Sequence, residues 1–427
     1  MKLYIEKAIY GGSGLARADG KAIFVPFTLP GETVEAQIVA DKGGFATAEL
    51  QSVIGPSPAR VQPPCPYYGQ CGGCHYQHAD YATQIEMKIS ILRETLDRAR
   101  IAEIPNINAI TAEPLGYRNR IRLHVQDNPF CLCYKFHKSH VNLPIATCPI
   151  AAPILQRSIE MLNREGESLS LGTFVTDLEL FAASDESTLL ASLWTDLPEP
   201  AAKQFLNNMS PRMRQIIPEI QGIGIFSKET GRTTNRFLAH SGSDFLIYRS
   251  NDRHYRVGLG SFFQINRFLI DQLVDVVTAG EQGGLVWDLY AGVGLFSLPL
   301  TQHFAEITAV ESSPSAVRDL NENLRGTRHR IVASSAAAFL RQAFQQRYPA
   351  PDLVVVDPPR AGLLRDVTTA LGEIRPRKIT YVSCDPSTLS RDLAALVESG
   401  YRLRNMHLLD LFPQTYHLES ITHLSLD

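Results

Sequence analysis

Four places in this chain combine residue type and spacing in ways that could do chemistry. The first is Cys384, in the run Tyr381-Val382-Ser383-Cys384-Asp385-Pro386-Ser387, where an apolar stretch from Ile379 to Val382 meets an Asp-Pro-Ser helix start. A thiol there is placed to become a thiolate, because N-terminal N–H groups and the helix dipole favour negative charge. A packed structural cysteine is the plainer alternative. The second place is Asp288-Leu289-Tyr290-Ala291-Gly292-Val293-Gly294, between a strand pattern and a helix pattern. Its glycines, Gly292 among them, let the backbone approach a ligand. Glu311 ends the next strand pattern, where a carboxylate commonly holds two ribose hydroxyls. The third glycine of a dinucleotide fingerprint is missing, and no basic residue awaits a pyrophosphate. A nucleoside without phosphates therefore fits better than NAD, with S-adenosylmethionine the obvious candidate.

The third place is Asp357-Pro358-Pro359-Arg360, which puts a carboxylate and a stiff backbone at another strand end. The fourth is a cysteine set: Cys65, Cys71 and Cys74 form C-x5-C-x2-C, and Cys148 stands far downstream beside Pro149. Gly72-Gly73 lets the chain wrap tightly between two of these thiols. Four thiolates hold either tetrahedral zinc or a four-iron cluster, and spacing alone leaves both open. Cys131 and Cys133, in the run CLCYK, alternate as strand residues do and are expected to be packed thiols.

Positioning these groups requires three kinds of scaffold. Residues 1–54 alternate short strand-like runs (Lys21 to Phe27, Thr33 to Val39, Ala46 to Val53) with Gly/Pro turns, the pattern of a small β-barrel. A Pro-rich connector then leads into residues 55–255, where Ile85, Ile89, Leu92 and Leu96 mark a helix over Tyr81 to Arg100. Further helices are expected near 151–164 and 199–207, among many strand-like segments. From about Arg256 to residue 427 apolar runs (Gly284 to Asp288, Glu306 to Val310, Asp352 to Val356, Ile379 to Val382) alternate with helical stretches. That is the βαβ grammar of a doubly wound α/β sheet, a Rossmann-like domain following a mixed α+β one.

Bulk properties narrow the classes further. The net charge of −3 gives no global basic field, so any nucleic-acid site must be a local patch. One such stretch runs from Gly116 to His140, with Arg118, Arg120, Arg122, Lys135 and Lys138 against Asp127, and with Tyr117, Phe130, Tyr134 and Phe136 interleaved. Cations for phosphates and aromatic faces for unpaired bases suit single-stranded RNA. The opening residues lack an apolar signal core, and no run of eighteen apolar residues occurs, so no membrane partner is expected. Seven cysteines without a secretion signal point to metal and catalysis in a reducing cytoplasm.

The motifs Ser261-Phe262-Phe263-Gln264, DLYAGVGLFSLPL, DPPRAG, YVSCDPSTLSRDL and FPQTYHLESI occur in this order. Together they resemble the bacterial RNA uridine-C5 methyltransferases over essentially the whole chain. The resemblance implies an N-terminal TRAM domain, an oligonucleotide-binding-like barrel, and a class I methyltransferase domain. It implies that Gln264, Tyr290, Glu311 and Asp357 line the S-adenosylmethionine site, that Cys384 is the nucleophile, and that Glu419 is the base that removes the C5 proton. It favours a [4Fe–4S] cluster over zinc at Cys65, Cys71, Cys74 and Cys148, and 23S rRNA over tRNA as the substrate of a monomeric enzyme. Two positions depart from the family pattern: Asp385 stands where Asn is usual, and Ser335 where an acid or amide is usual near the adenine.

Rival classes leave different marks. Asp-Pro-Pro methyltransferases that act on exocyclic amines need no cysteine nucleophile. RNA cytosine-C5 enzymes usually place another cysteine near the Pro-Pro motif, and residues 354–363 hold none. A non-catalytic RNA-binding or assembly factor would have no need of Cys384 and Glu419.

Overall fold

Alternation marks the start of the first module. In strand Lys2–Ile9, Leu3 and Ile5 are buried while Lys2, Tyr4 and Glu6 face solvent, the period-two signature of a strand with one wet face. In the computed structural model, which describes residues 1–228 and 236–426, this strand and four others close into a barrel. Around it they run Lys2–Ile9, Ser13–Ala18, Lys21–Pro26, Phe45–Gly55 and Thr33–Asp41, enclosing Leu3, Ile5, Ile23, Val25 and Val34. A side chain at Gly14 would meet Thr28 Oγ1 at 2.3 Å and Ile5 at 2.7 Å, so only glycine fits there.

The middle of the chain forms a seven-stranded sheet, ordered Arg236–Gly242, Ile220–Ser227, Leu189–Thr195, Asp177–Ala182, Arg120–Gln126, Cys131–Lys135 and Asn142–Pro144. One face, with Ile121, Leu123, Leu178, Leu180, Leu193 and Ile223, shares a core with helices Pro153–Glu165 and Glu199–Ile216. These helices lie where periodicity placed them, although the second runs nine residues past the expected end at 207.

The C-terminal sheet has eight strands, ordered His329–Ala333, Phe304–Glu311, Gly283–Leu289, Leu353–Val356, Lys378–Ser383, Glu419–Leu426, Tyr401–Leu409 and Ile107–Ile110. The first five are mutually parallel. The order reverses between Gly283–Leu289 and Leu353–Val356, and ligands of such sheets bind at the carboxyl ends beside that switch. Two features lie outside the linear reading. Ile107–Ile110, from the middle of the sequence, pairs parallel to Tyr401–Leu409, and helix Tyr81–Arg98 buries Leu92 and Leu96 with Leu389, Leu393 and Leu396 of helix Pro386–Glu398. The stretch after Pro413 does not simply fold over the sheet edge. Its end, Glu419–Leu426, slots into the sheet antiparallel to both neighbours, burying Ile421 and Leu424. Among the described residues, no helix is long and apolar enough to cross a membrane.

Candidate active site

Parallel strands deliver the reactive groups to one edge. Asp288 and Tyr290 lie at the end of Gly283–Leu289, Glu311 ends Phe304–Glu311, Asp357 follows Leu353–Val356, and Cys384 follows Lys378–Ser383. Glu419 arrives from the opposite direction. Ser383 pairs with Ser420, so Cys384 and Glu419 are the next residues out of that register, brought side by side from 35 positions apart.

The nucleotide-side groups are held by backbone. Glu311 accepts N–H bonds from Gly292 at 2.9 Å, Ser312 at 2.6 Å and Ser313 at 2.7 Å. This ties the Gly292 turn to the Glu311 carboxylate, and a side chain at Gly292 would meet nothing within 4 Å. Tyr290 (φ 68°) and Gly292 (φ 56°) are both left-handed, the conformation glycine adopts freely and tyrosine rarely. Gln264 is buried, and its carbonyl accepts from Asn119 at 3.0 Å. Its segment spans the crevice: Ser261 Oγ donates to Asp319 Oδ2 at 2.6 Å, and Asn266 donates to the Asp410 and Leu411 carbonyls at 3.3 and 3.2 Å. Ser335 caps helix Ala336–Gln345 by accepting from Ala338 N at 3.3 Å.

Asp288, buried, and Asp357, half-buried, form a carboxylate pair. Burial, opposed by the Ser297 hydroxyl and aided by Glu311, lifts Asp288 to about 7; burial and the charge of Asp288 lift Asp357 to about 7. Among the described residues, Asp288 Oδ1 has no hydrogen-bond partner. Two close acids, one of them buried with an orphaned oxygen, beside a ribose-type carboxylate suit a cationic nucleoside such as S-adenosylmethionine.

Cys384 is half-buried, and its thiol is pushed up to about 12. Burial is the main cause, followed by the negative charges of Glu419 and Asp357; Arg360 opposes them, and Asp385 adds to the rise. The expected stabilisation by free helix N–H groups is therefore not delivered. Asp385 caps helix Pro386–Glu398 and takes the N–H groups of Ser387 at 2.9 Å and Thr388 at 3.1 Å for itself. Its other oxygen accepts from the Tyr10 hydroxyl of the barrel at 3.1 Å. Glu419, 4% exposed, is driven well above the usual carboxylate range by burial and by Asp357, against the pull of Arg360.

The loop leading to Glu419 is clamped. Lys88, fully buried, pairs with Asp410 at 2.5 Å and donates to the Phe412 carbonyl at 3.0 Å. Tyr81 donates to Asp410 at 2.9 Å, Tyr117 to the Pro413 carbonyl at 3.1 Å, and His75 N and Tyr76 N both to the Gln414 carbonyl. Sequence reading passed over Lys88, although it sits among Ile85, Ile89 and Leu92 on the apolar stripe, where a lysine demands a partner. It also passed over Asp392, which accepts from Tyr381 and from Leu363 N, both at 2.7 Å, and so fixes the turn after Asp357.

The four remaining site cysteines do gather. Cys65, Cys71, Cys74 and Cys148 line one cavity of about 310 Å³ with Arg118 and Tyr134. Burial raises Cys65 and Cys71 and carries Cys74 to about 12. Gly73 N points at Cys71 Sγ (3.4 Å), and Tyr134 lines the same cavity as Cys148. Among the described residues, no three ligating groups converge on one ion-sized point. The basic–aromatic stretch is divided among different surfaces of the fold. Tyr117 is fully buried, and Arg118 and Tyr134 turn to the cavity. Arg120 and Arg122 emerge on the other sheet face, over the rings of Phe181 at 4.0 Å and Trp194 at 3.8 Å. The stretch is therefore not one continuous stacking surface.

Comparison with known proteins agrees with this geometry. Residues 80–426 match the family described as tRNA (Uracil-5-)-methyltransferase, and residues 3–51 match the TRAM domain. An uncharacterized RNA methyltransferase of Aquifex aeolicus is 35% identical, across 99% of this chain and 98% of that protein. The 23S rRNA (uracil(1939)-C(5))-methyltransferase RlmD of Halomonas elongata is 34% identical, across 98% of this chain and 88% of that protein. The fold of Pyrococcus abyssi tRNA (uracil-54, C5)-methyltransferase, solved with S-adenosyl-L-homocysteine, superposes with a TM-score of 0.77 over 99% of this chain and 100% of that one, at 24% identity. With its TRAM barrel, its class I methyltransferase sheet and a matched span running through Cys384 and Glu419, the chain belongs to the tRNA (Uracil-5-)-methyltransferase family and is an RNA (uracil-C5)-methyltransferase.

Proposed function

We propose that this enzyme methylates C5 of a uridine in 23S rRNA through a covalent adduct between Cys384 and uracil C6. The observation that carries the reading is the pairing of strands Lys378–Ser383 and Glu419–Leu426, which sets a thiol beside a buried carboxylate at the ligand edge of the sheet. Glu311, Gln264, Tyr290 and the Asp288–Asp357 pair would hold S-adenosylmethionine, which when bound would supply an electrophilic methyl group. Uracil C5 is a weak nucleophile, and addition of Cys384 sulfur to C6 turns the ring into an enolate that attacks through C5. The thiol must lose its proton to do so, and the Arg360 guanidinium favours the sulfur anion. Glu419, made more basic by burial, takes the C5 proton, and elimination then returns the electron pair to sulfur and frees Cys384. The target base must leave its stack to reach this edge, which favours a loop.

The rRNA substrate is supported by the full-length relatives named for 23S rRNA. At the cysteine cavity the four thiols surround a space of about 310 Å³ rather than a point, which suits a [4Fe–4S] cluster better than one zinc ion. There Cys65, Cys71, Cys74 and Cys148 would hold the cluster, whose contribution is a rigid cross-link between two loops. A 5-fluorouridine-containing 23S rRNA fragment, incubated with enzyme and S-adenosylmethionine, is expected to give a denaturation-resistant protein–RNA complex. A complex with tRNA transcripts and none with the rRNA fragment would move the substrate to tRNA, and no complex with either would overturn the covalent route.

A further inference from the structure

Cys131 and Cys133 take no part in the crevice or in the four-cysteine cavity. They are neighbours on one face of strand Cys131–Lys135, separated by Leu132, which turns into the opposite core. Their sulfurs lie 3.5 Å apart, already in contact. Cys131 is half-buried at the strand start, while Cys133 is fully buried. The two thiols thus differ in access: one meets solutes, and the other sits behind it.

We propose that Cys131 and Cys133 form a reversible redox dithiol, closed by exchange with a small disulfide of the glutathione type. Cys131, as thiolate, attacks one sulfur of the disulfide and expels one thiolate, leaving a mixed disulfide. Cys133 then attacks the Cys131 sulfur, and its proton leaves with the second expelled thiol. Two protein thiols become one S–S bond, and one small disulfide becomes two thiols, so electrons and protons balance. Geometry makes the product labile rather than structural. Residues two apart in an extended strand have Cα atoms about 6.6–6.8 Å apart, at the upper limit of about 6.8 Å for a disulfide. Closure must pucker the strand, and strained, accessible disulfides are the readily reduced kind.

The pucker has somewhere to act. The next residue, Tyr134, lines the cysteine cavity with Cys148, and the Lys135 carbonyl accepts from Gly72 N at 3.1 Å, so this strand buttresses that cavity. Trypsin releases residues 123–135 as one peptide holding these two cysteines and no other. Treating the folded enzyme with oxidised glutathione, then alkylating and digesting it, should yield this peptide lighter by two hydrogens, fully restored by dithiothreitol. Cys133→Ser should stop the reaction at a glutathione adduct on Cys131, and Cys131→Ser should block both products. A wild-type peptide that stays reduced, that stops at the glutathione adduct, or that links to a cysteine elsewhere would overturn the proposal. So would unchanged reaction in Cys131→Ser.

Discussion

The Cys384 crevice and the four-cysteine cavity both bury thiols, and burial raises the thiol in each. They differ in company. In the cavity, thiols from two distant stretches face one another with Arg118 and Tyr134, and their protons can be exchanged for one shared cationic group. In the crevice a single thiol faces the carboxylates of Glu419, Asp357 and Asp385, with Arg360 as counterweight. A set of like thiols is suited to holding something permanently. A lone thiol among acids is suited to losing and regaining a proton, because each partner changes charge at a different step. The two regions are also joined, since His75 and Tyr76, just after Cys74, grip the Gln414 carbonyl in the loop that ends at Glu419.

The largest expected effect separates the two regions outright. Cys384→Ala should lower methyl transfer by at least about 10⁴-fold while S-adenosylmethionine still binds, as measured by methyl incorporation and by calorimetry. Cys131→Ser, a thiol outside both regions, should leave the rate within a few-fold of wild type. Glu419→Gln should slow turnover by about 10²–10⁴-fold and let a protein–RNA adduct accumulate on denaturing gels. Normal turnover without adduct would remove Glu419 from the reaction.

Next comes the clamp between the regions. Lys88→Met leaves Asp410 buried without its cation and should cost about 3–5 kcal/mol of stability, read as a lower denaturation midpoint. Adding Asp410→Leu should recover much of that loss, and a single variant as stable as wild type would refute the clamp.

Smaller effects test the crevice electrostatics. Asp288 and Asp357 lie raised to about 7, so each tends to be neutral below that pH, and a cationic ligand favours the ionised form. S-adenosylmethionine binding at pH 6 should therefore expel up to about one proton, seen as a dependence of the calorimetric heat on buffer ionisation enthalpy. S-adenosylhomocysteine, without the sulfonium charge, should expel less. Asp385→Asn removes a negative charge that raises Cys384. The acidic limb of the pH–rate profile should then shift downward by less than about one unit, and an upward shift would reverse the sign assigned to Asp385.

Much of this was legible from residue order. Strand ends at Asp288, Glu311, Asp357 and Cys384 follow from apolar runs bounded by glycine, proline and a helix cap, because local alternation and capping are encoded locally. The helix starting at Tyr81 was equally clear from Ile85, Ile89, Leu92 and Leu96. Glu419 was different. Its local sequence resembles any solvated edge, and only a family resemblance singled it out. Its burial depends on insertion between strands that are 36 and 10 residues away in the chain at their nearest ends. The basic–aromatic stretch failed for a related reason. Charge and aromatic content can be counted in sequence, but the burial of Tyr117 and the seating of Arg122 over the Trp194 ring come only with the folded chain.

By itself, then, the sequence determined the strand and helix grammar, the nucleophile candidate at a strand end and the set of four cysteines. These depend on side-chain chemistry and on periodicities of a few residues. Tertiary structure alone decided that Glu419 meets Cys384, that Lys88 and Asp410 hold the loop leading to Glu419, and that Glu419 and Asp357 crowd the thiol. Each of these rests on burial and on charge at short range. Burial and charge are properties of the neighbours a fold supplies, and no local run of residues carries them.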